Sequence, residues 1–235
     1  MSKLAIVTGG TKGIGKAIIM KFAQAGFDIV TCSRHQDQLN ELKTTVEGLY
    51  PQVKVHARQV DMSVKAQVLE FGKFILSLGE PIEILVNNAG FFMPGQVHAE
   101  EDGNMEKMVE ANLYSAYYMT RSVIAPMIER KQGYIFNICS IASLVAYPNG
   151  GSYSISKFAM LGMSKALREE MKEHNIRVTS VMPGATLTAS WEGVDLPEER
   201  FCKAEDIADA VHAAYALSTN SVVEELIIRP QLGDI

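Results

Sequence analysis

Thr8-Gly9-Gly10-Thr11-Lys12-Gly13-Ile14-Gly15 follows the apolar run Leu4–Thr8 and leads into Lys16–Ala25, a segment with helical spacing. Glycine lets a chain turn sharply and lets a diphosphate approach the main chain, and the glycine at Gly15 lets the helix pack close to the strand. The helix start supplies free N–H donors and partial positive charge for phosphates. Two nucleotide-binding patterns compete for this string. Gly10 to Lys16 begins a P-loop, GxxxxGK, but the next residue is Ala17, where Ser or Thr must hold magnesium. The string TGxxxGxG, a dinucleotide-binding turn, fits from Thr8 to Gly15. Gly9, Thr11, Lys12, Gly13, Ile14 and Gly15 are therefore candidate cofactor residues.

Outward from this turn, short β-rich runs alternate with helical patterns. The runs are Leu4–Thr8, Asp28–Cys32, Val53–Val60, Ile84–Val86, Tyr134–Cys139, Arg177–Val181 and Val222–Ile228; Met105–Ile128 has helical spacing. Such alternation predicts an α/β fold, a single doubly wound Rossmann-type domain over residues 1–235. Its parallel sheet would have about seven strands, with helices on both faces. The stretch from Ala185 to Lys203 escapes the alternation and reads as a substrate lid.

Composition bounds the function. With 235 residues, 47% hydrophobic and 21% charged, the chain can bury one continuous core. A net charge of -5 argues against nucleic acid as a partner. Cys32, Cys139 and Cys202 form no CxxC pair, which suits free thiols in a reducing cytoplasm. His35, His56, His98, His174 and His212 lack metal-ligand spacing, so no metal is expected. No apolar run approaches the roughly 20 residues of a membrane span.

The second strand ends Thr31-Cys32-Ser33-Arg34. An acid at this point accepts from the adenosine ribose 2′-OH and repels a 2′-phosphate, whereas an arginine accommodates the phosphate. Ser33, Arg34 and Lys12 predict NADP(H) as cofactor, in preference to NADH.

Tyr153 and Lys157 stand four residues apart, stacked on one face if helical. An ammonium about 4–5 Å from a phenol stabilises phenolate by roughly 3–4 kcal/mol at an effective dielectric of about 20. That lowers the phenol by about two to three pKa units, toward the range where acid–base catalysis is efficient. Ser140 ends the run Tyr134–Cys139, at the strand edge where ligands gather, and its hydroxyl would hold a carbonyl beside Tyr153. Asn87-Asn88-Ala89-Gly90 ends the preceding strand, and Asn112 is a polar, poor helix former in mid-helix.

These motifs together resemble the short-chain dehydrogenase/reductase family over essentially the whole chain: TGxxxGxG, Asp61-Met62-Ser63, NNAG, Asn112, Ser140, YxxxK and Pro183-Gly184, in the family's order. The resemblance implies an oxidoreductase transferring hydride from NADPH to a carbonyl. It casts Tyr153 as general acid, Ser140 as carbonyl binder, Lys157 on the nicotinamide ribose and Asn112 at a proton-relay water. It places Asp61 and Met62 near the adenine and Asn88, Ala89 and Gly90 along the cofactor. Pro183, Gly184 and Thr186 would lie near the carboxamide, and Thr188 near the phosphates. The end of the chain, with Trp191, resembles bacterial sepiapterin-reductase-like members, so a small ketone, diketone or pterin side chain is the expected substrate and Trp191 its stacking partner. An alternative is 3-oxoacyl-ACP reduction, with Arg130 and Lys131 as part of a carrier-protein patch. A further alternative is a non-catalytic NADP sensor, which would be expected to lack Ser140, Tyr153 or Lys157. The resemblance also implies a homodimer or homotetramer. The helical segments Met105–Ile128 and Ser152–His174, with Ala111, Ala116, Ala159, Gly162 and Ala166, are the expected partner faces.

Overall fold

The computed structural model describes residues 3–188, 191, 193 and 195–235. Seven strands form one parallel sheet: β1 (Leu4–Thr8), β2 (Asp28–Ser33), β3 (Val55–Gln59), β4 (Ile82–Asn87), β5 (Gly133–Ile138), β6 (Ile176–Pro183) and β7 (Glu225–Ile228). Their order is β3-β2-β1-β4-β5-β6-β7. The helices are α1 (Gly13–Gln24), α2 (Gln36–Leu49), α3 (Lys65–Ser77), α4 (Asn104–Val109), α5 (Ser115–Arg130), α6 (Gly151–Met171) and α7 (Ala204–Ala216).

Strand side chains alternate between two cores. On β1, Ala5 and Val7 pack with Ile18, Phe22, Val46 and Val211 of α1, α2 and α7. Leu4 and Ile6 face the other way, toward Val68, Phe71, Met119, Val123 and Met171 of α3, α5 and α6. Burial on both faces explains why the inner strands β1, β2, β4, β5 and β6 read as nearly continuous apolar runs, while the edge strands β3 and β7 are partly exposed. Among the described residues, no helix is long and apolar enough to cross a membrane.

Several boundaries differ from the sequence reading. β3 starts at Val55 and β7 only at Glu225, because the residues before them form no ladder. The helical pattern Met105–Ile128 is interrupted by a π-helical turn, Glu110–Tyr114, between α4 and α5. The expected partner faces split. Ala111 and Ala116 are buried inside the molecule and are not available to a partner. Ala159, Gly162 and Ala166 of α6 are exposed. Of the expected lid, Ala189, Ser190, Glu192 and Val194 lie outside the described residues. Thr186 pairs with Cys202 in an isolated bridge, tying the ends of this segment together.

Candidate active site

The chain winds outward in opposite directions from β1 and β4, so the connections that leave the carboxyl ends of these strands diverge and open a crevice. A cavity of about 810 Å³ occupies it. Its walls include Gly9, Thr11, Lys12, Gly13, Ile14, Ser33, Arg34, Asp61, Met62, Asn88, Ala89 and Gly90. They also include Ser140, Tyr153, Lys157, Pro183, Gly184, Thr186, Thr188 and Trp191. Two sequence candidates, Gly15 and Asn112, are buried behind this wall.

The glycine turn is built for close approach. Gly13 has φ +52°, in the left-handed region. A Cβ on Gly15 would stand 2.5 Å from Asn88 Nδ2 and 2.6 Å from the Gly9 carbonyl. Asn88 occupies that space, and its Nδ2 donates to the carbonyls of Thr8 (2.9 Å) and Gly9 (3.0 Å). Thr8 Oγ1 accepts the N–H groups of Asn88 and Ala89, each at 3.0 Å. The ends of β1 and β4 are thus locked together. Thr188 approaches Gly13 so closely that a Cβ there would lie 2.9 Å from its Cγ2.

At the end of β2, Thr11 Oγ1 donates toward Ser33 Oγ (3.3 Å) and Gln38 Oε1 (3.2 Å). Arg34 and Lys12 are exposed on the cavity wall, and no carboxylate joins the wall from this strand end. Asp61 Oδ1 accepts the Ser63 N–H (3.0 Å) and Oγ–H (2.7 Å), a turn that holds the carboxylate at the cavity edge.

β5 and α6 carry the polar groups at the other end. Ser140 Oγ accepts the Ala142 N–H at 3.1 Å, capping the short helical turn Ile141–Ser143. That contact occupies a lone pair and leaves the hydroxyl hydrogen to donate, toward the Tyr153 phenol oxygen in this structure. Lys157 is buried and its Nζ donates to the Ile138 carbonyl at 2.9 Å. It stands 5.8 Å from the centroid of the Tyr153 ring. Phe92 packs edge-on against Tyr153, with ring centroids 5.0 Å apart.

The electrostatics differ from the sequence expectation. Burial pushes the Tyr153 phenol up from its usual value, and the hydrogen bond with the Ser140 side chain opposes this. Burial pushes the Lys157 ammonium down. Desolvation of both groups outweighs the attraction that spacing alone suggests.

Asn112 lies in the π-helical turn, the local distortion that accommodates a buried asparagine in a long helix. Its side chain is engaged by Phe91 and by Ser156, whose Oγ donates to the Tyr153 carbonyl at 2.7 Å. Trp191 is half-buried, and its ring meets Phe201 edge-on at 5.1 Å.

Arg130 and Lys131 are at the wrong end of the molecule for a carrier-protein patch. Arg130 Nη2 donates to the Ile82 carbonyl at 2.8 Å, at the start of β4, and the Lys131 carbonyl accepts from Asn175 just before β6. Both lie at the amino edge of the sheet, opposite the cavity. Sequence reading missed Phe92, Tyr147 and the tail residues Arg229 and Asp234, all of which line the cavity. Arg229 Nε donates to Asp234 Oδ1 at 3.0 Å, and a second contact joins Nη2 to Oδ2.

The family model for short chain dehydrogenase matches residues 3–198, and this chain belongs to that family. It is 31% identical to sepiapterin reductase of Chlorobaculum tepidum, with 100% of this chain and 99% of that protein covered. Among solved structures, it resembles a metagenomic short-chain oxidoreductase in complex with NADP, at 27% identity and a TM-score of 0.85, covering 97% of each chain. It also resembles L-sorbose reductase from Gluconobacter frateurii complexed with NADPH and L-sorbose. There the identity is 27%, the TM-score 0.88, and the coverage 97% of this chain and 95% of that one.

Proposed function

We propose that this chain is an NADPH-dependent reductase of small carbonyl compounds, with pterin side chains, ketones and diketones as its substrate class. The supporting observation is a single cavity with Ser140, Tyr153 and Lys157 at one end and Lys12, Ser33 and Arg34 at the other. NADP and NADPH in the related solved structures support the same cofactor.

In this reading the Gly9–Gly15 turn and the start of α1 hold the diphosphate. Lys12, Ser33 and Arg34 hold the 2′-phosphate, Asp61 and Met62 border the adenine, and Asn88 to Gly90 line the ribose path. Lys157, Pro183, Gly184, Thr186 and Thr188 surround the nicotinamide half. The tight cradle at Gly13 and Gly15 fits a group approaching the main chain. When bound, the reduced dinucleotide supplies a hydride.

The chain's own residues do the rest. Ser140 turns its hydroxyl hydrogen from the Tyr153 phenol to the carbonyl oxygen. Tyr153 delivers a proton from its phenol to the same oxygen as negative charge develops there. Lys157, whose Nζ is held by the Ile138 carbonyl, stands beside the phenolate that remains, and the negative charge formed there favours its ammonium form against the effect of burial. Asn112 and Ser156 position α6 against the loop after β4. Trp191, Phe92 and Tyr147 exclude water and contact the substrate. A homodimer or homotetramer using the exposed face of α6 accompanies this reading.

The test is a panel of sepiapterin, 2,3-butanedione, an aryl ketone and a 3-oxoacyl thioester, each with NADPH and NADH. Carbonyl-dependent oxidation of NADPH, faster than that of NADH, is expected with at least one of the first three. NADPH oxidation with none of them overturns the reading.

A further inference from the structure

The helix that carries Tyr153 and Lys157 begins without a cap of its own. α6 starts at Gly151, and the residue before it, Gly150, has no side chain to accept from the first N–H groups of the helix. A side chain is excluded there, because a Cβ on Gly150 would stand 2.9 Å from the Tyr147 carbonyl and closer still to Ser154 Oγ. The first turn of α6 holds no acidic residue either. Tyr153 belongs to that turn, so the end of the helix that lacks a local cap is the end that carries the phenol.

The acceptor comes instead from the loop after β4. Glu100 Oε1 accepts the Ser152 N–H at 2.8 Å, across 52 residues of chain. A carboxylate in this place satisfies one free donor and opposes the positive end of the helix. Two glycines make room for it. A Cβ on Gly95 would stand 2.6 Å from Glu100 Cγ, and a Cβ on Gly151 would overlap Glu100 Oε1. Further bonds fasten the loop around this slot. The Glu100 N–H donates to the Gln96 carbonyl (2.8 Å), Gln96 Nε2 to Asn149 Oδ1 (3.0 Å), and the Gly95 N–H to the Asn149 carbonyl (3.0 Å). Glu100 Oε2 is buried and, among the described residues, has no hydrogen-bond partner. The slot thus holds a carboxylate with one oxygen dry, which costs stability, and fixes the other oxygen on the residue next to Tyr153.

We infer that Glu100 is a positioning residue for the proton donor: it caps α6 from the loop after β4 and so holds Tyr153 against Ser140. The inference rests on the carbonyl-reductase reading above. Without the cap the first turn of α6 opens locally and Tyr153 leaves its place. Lys157 lies one turn further on and is held independently by the Ile138 carbonyl at 2.9 Å. The cofactor therefore stays bound while proton delivery slows.

The experiment measures NADPH oxidation on the best carbonyl of the panel, with rates counted per NADPH-binding site so that unfolded protein does not enter. Glu100→Ala should lower kcat by about 10- to 100-fold, the range of one charge-assisted hydrogen bond, with NADPH Kd changing by less than about threefold. Glu100→Gln keeps an oxygen acceptor for Ser152 and should stay within about fivefold of the unmodified kcat. Added to Tyr153→Phe, Glu100→Ala should cost less than about twofold, because the phenol it positions is already gone. An equal loss in both backgrounds marks a purely structural part and overturns the inference, as does a Glu100→Gln variant as slow as Glu100→Ala. If Glu100→Ala does not fold, Gly95→Ala, whose Cβ displaces Glu100 from the slot, carries the same expectations. Absence of turnover with every carbonyl contradicts the reductase reading instead, and hydrogen exchange then decides the role of Glu100. The Ser152 amide should exchange at least about tenfold faster in Glu100→Ala than in the unmodified protein. Unchanged exchange at Ser152 overturns the inference.

Discussion

Asn112 holds Phe91 by both of its main-chain polar groups: the Phe91 N–H donates to Oδ1 at 2.8 Å, and Nδ2 donates to the Phe91 carbonyl at 3.0 Å. Nδ2 also donates to Ser156 Oγ at 3.0 Å. One buried side chain thus joins the loop after β4 to the helix that carries Tyr153 and Lys157. Asn112→Ala leaves part-buried main-chain groups of Phe91 without these partners, at about 1–3 kcal/mol each. The expected result is a loss of about 2–4 kcal/mol in unfolding free energy, with kcat falling more than KM rises. A denaturation curve and steady-state kinetics check this. A variant as stable as the unmodified protein contradicts it.

Ser140 touches the phenol, besides the role proposed for it on the substrate. Its hydrogen bond lowers a Tyr153 phenol that burial has raised. Carbonyl reduction needs the protonated phenol, so its rate should hold through neutral pH and fall as pH rises through the phenol's raised value. Alcohol oxidation needs the phenolate and should rise over the same interval. Ser140→Ala removes the lowering contact, so the oxidation limb should move to higher pH. It should also cost about 10²–10³ in kcat, as for a lost oxyanion donor. An oxidation limb that stays in place counts against this coupling.

Arg34 and Lys12 are the exposed cations at the β2 end of the cavity. Arg34→Asp replaces a cation by an anion at the site assigned to the 2′-phosphate. NADPH binding should weaken by roughly 10- to 100-fold, the worth of one charge-assisted hydrogen bond. NADH binding should be nearly unchanged. Kd values by calorimetry decide this, and equal weakening of both dinucleotides would place the 2′-phosphate elsewhere.

Trp191 both walls the cavity and packs on Phe201. The aromatic pair is worth about 0.5–1.5 kcal/mol beyond its buried area, so it anchors the indole without consuming all of its surface. Trp191→Ala should raise KM for a pterin or aryl ketone by at least about tenfold, and for 2,3-butanedione by no more than about threefold. Equal losses for both shapes would leave Trp191 with only the Phe201 contact as its role.

Much of this site was readable from local chemistry. The turn at Gly9–Gly15 needs glycines for steric reasons that act within a few residues. Asn88 and Ser140 end apolar runs and so fall at the ligand-binding edge of a parallel sheet. Asn112 stood out as a polar residue in a helical pattern, although its partners Phe91 and Ser156 were not foreseeable from spacing. The charge effect of Lys157 on Tyr153 was misjudged because spacing reports proximity and not desolvation. Arg130 and Lys131 carried a usable signal that went unread: residues between a helix and the next parallel strand lie at the amino edge of the sheet. Phe92, Tyr147, Arg229 and Asp234 come from distant segments with no shared period, and only the folded chain brings them to one cavity.

The central claim is that Tyr153 is the proton donor in an NADPH-dependent carbonyl reduction. It is tested most directly by measuring NADPH oxidation by the unmodified protein and by Tyr153→Phe on the best carbonyl of the panel, with NADPH Kd determined for both. The phenyl ring still fills its place against Phe92, so Kd should change by less than about threefold, while kcat falls by about 10²–10⁴. A Tyr153→Phe variant that keeps more than about a tenth of the unmodified kcat would contradict the assignment, because general acid catalysis contributes at least about 10².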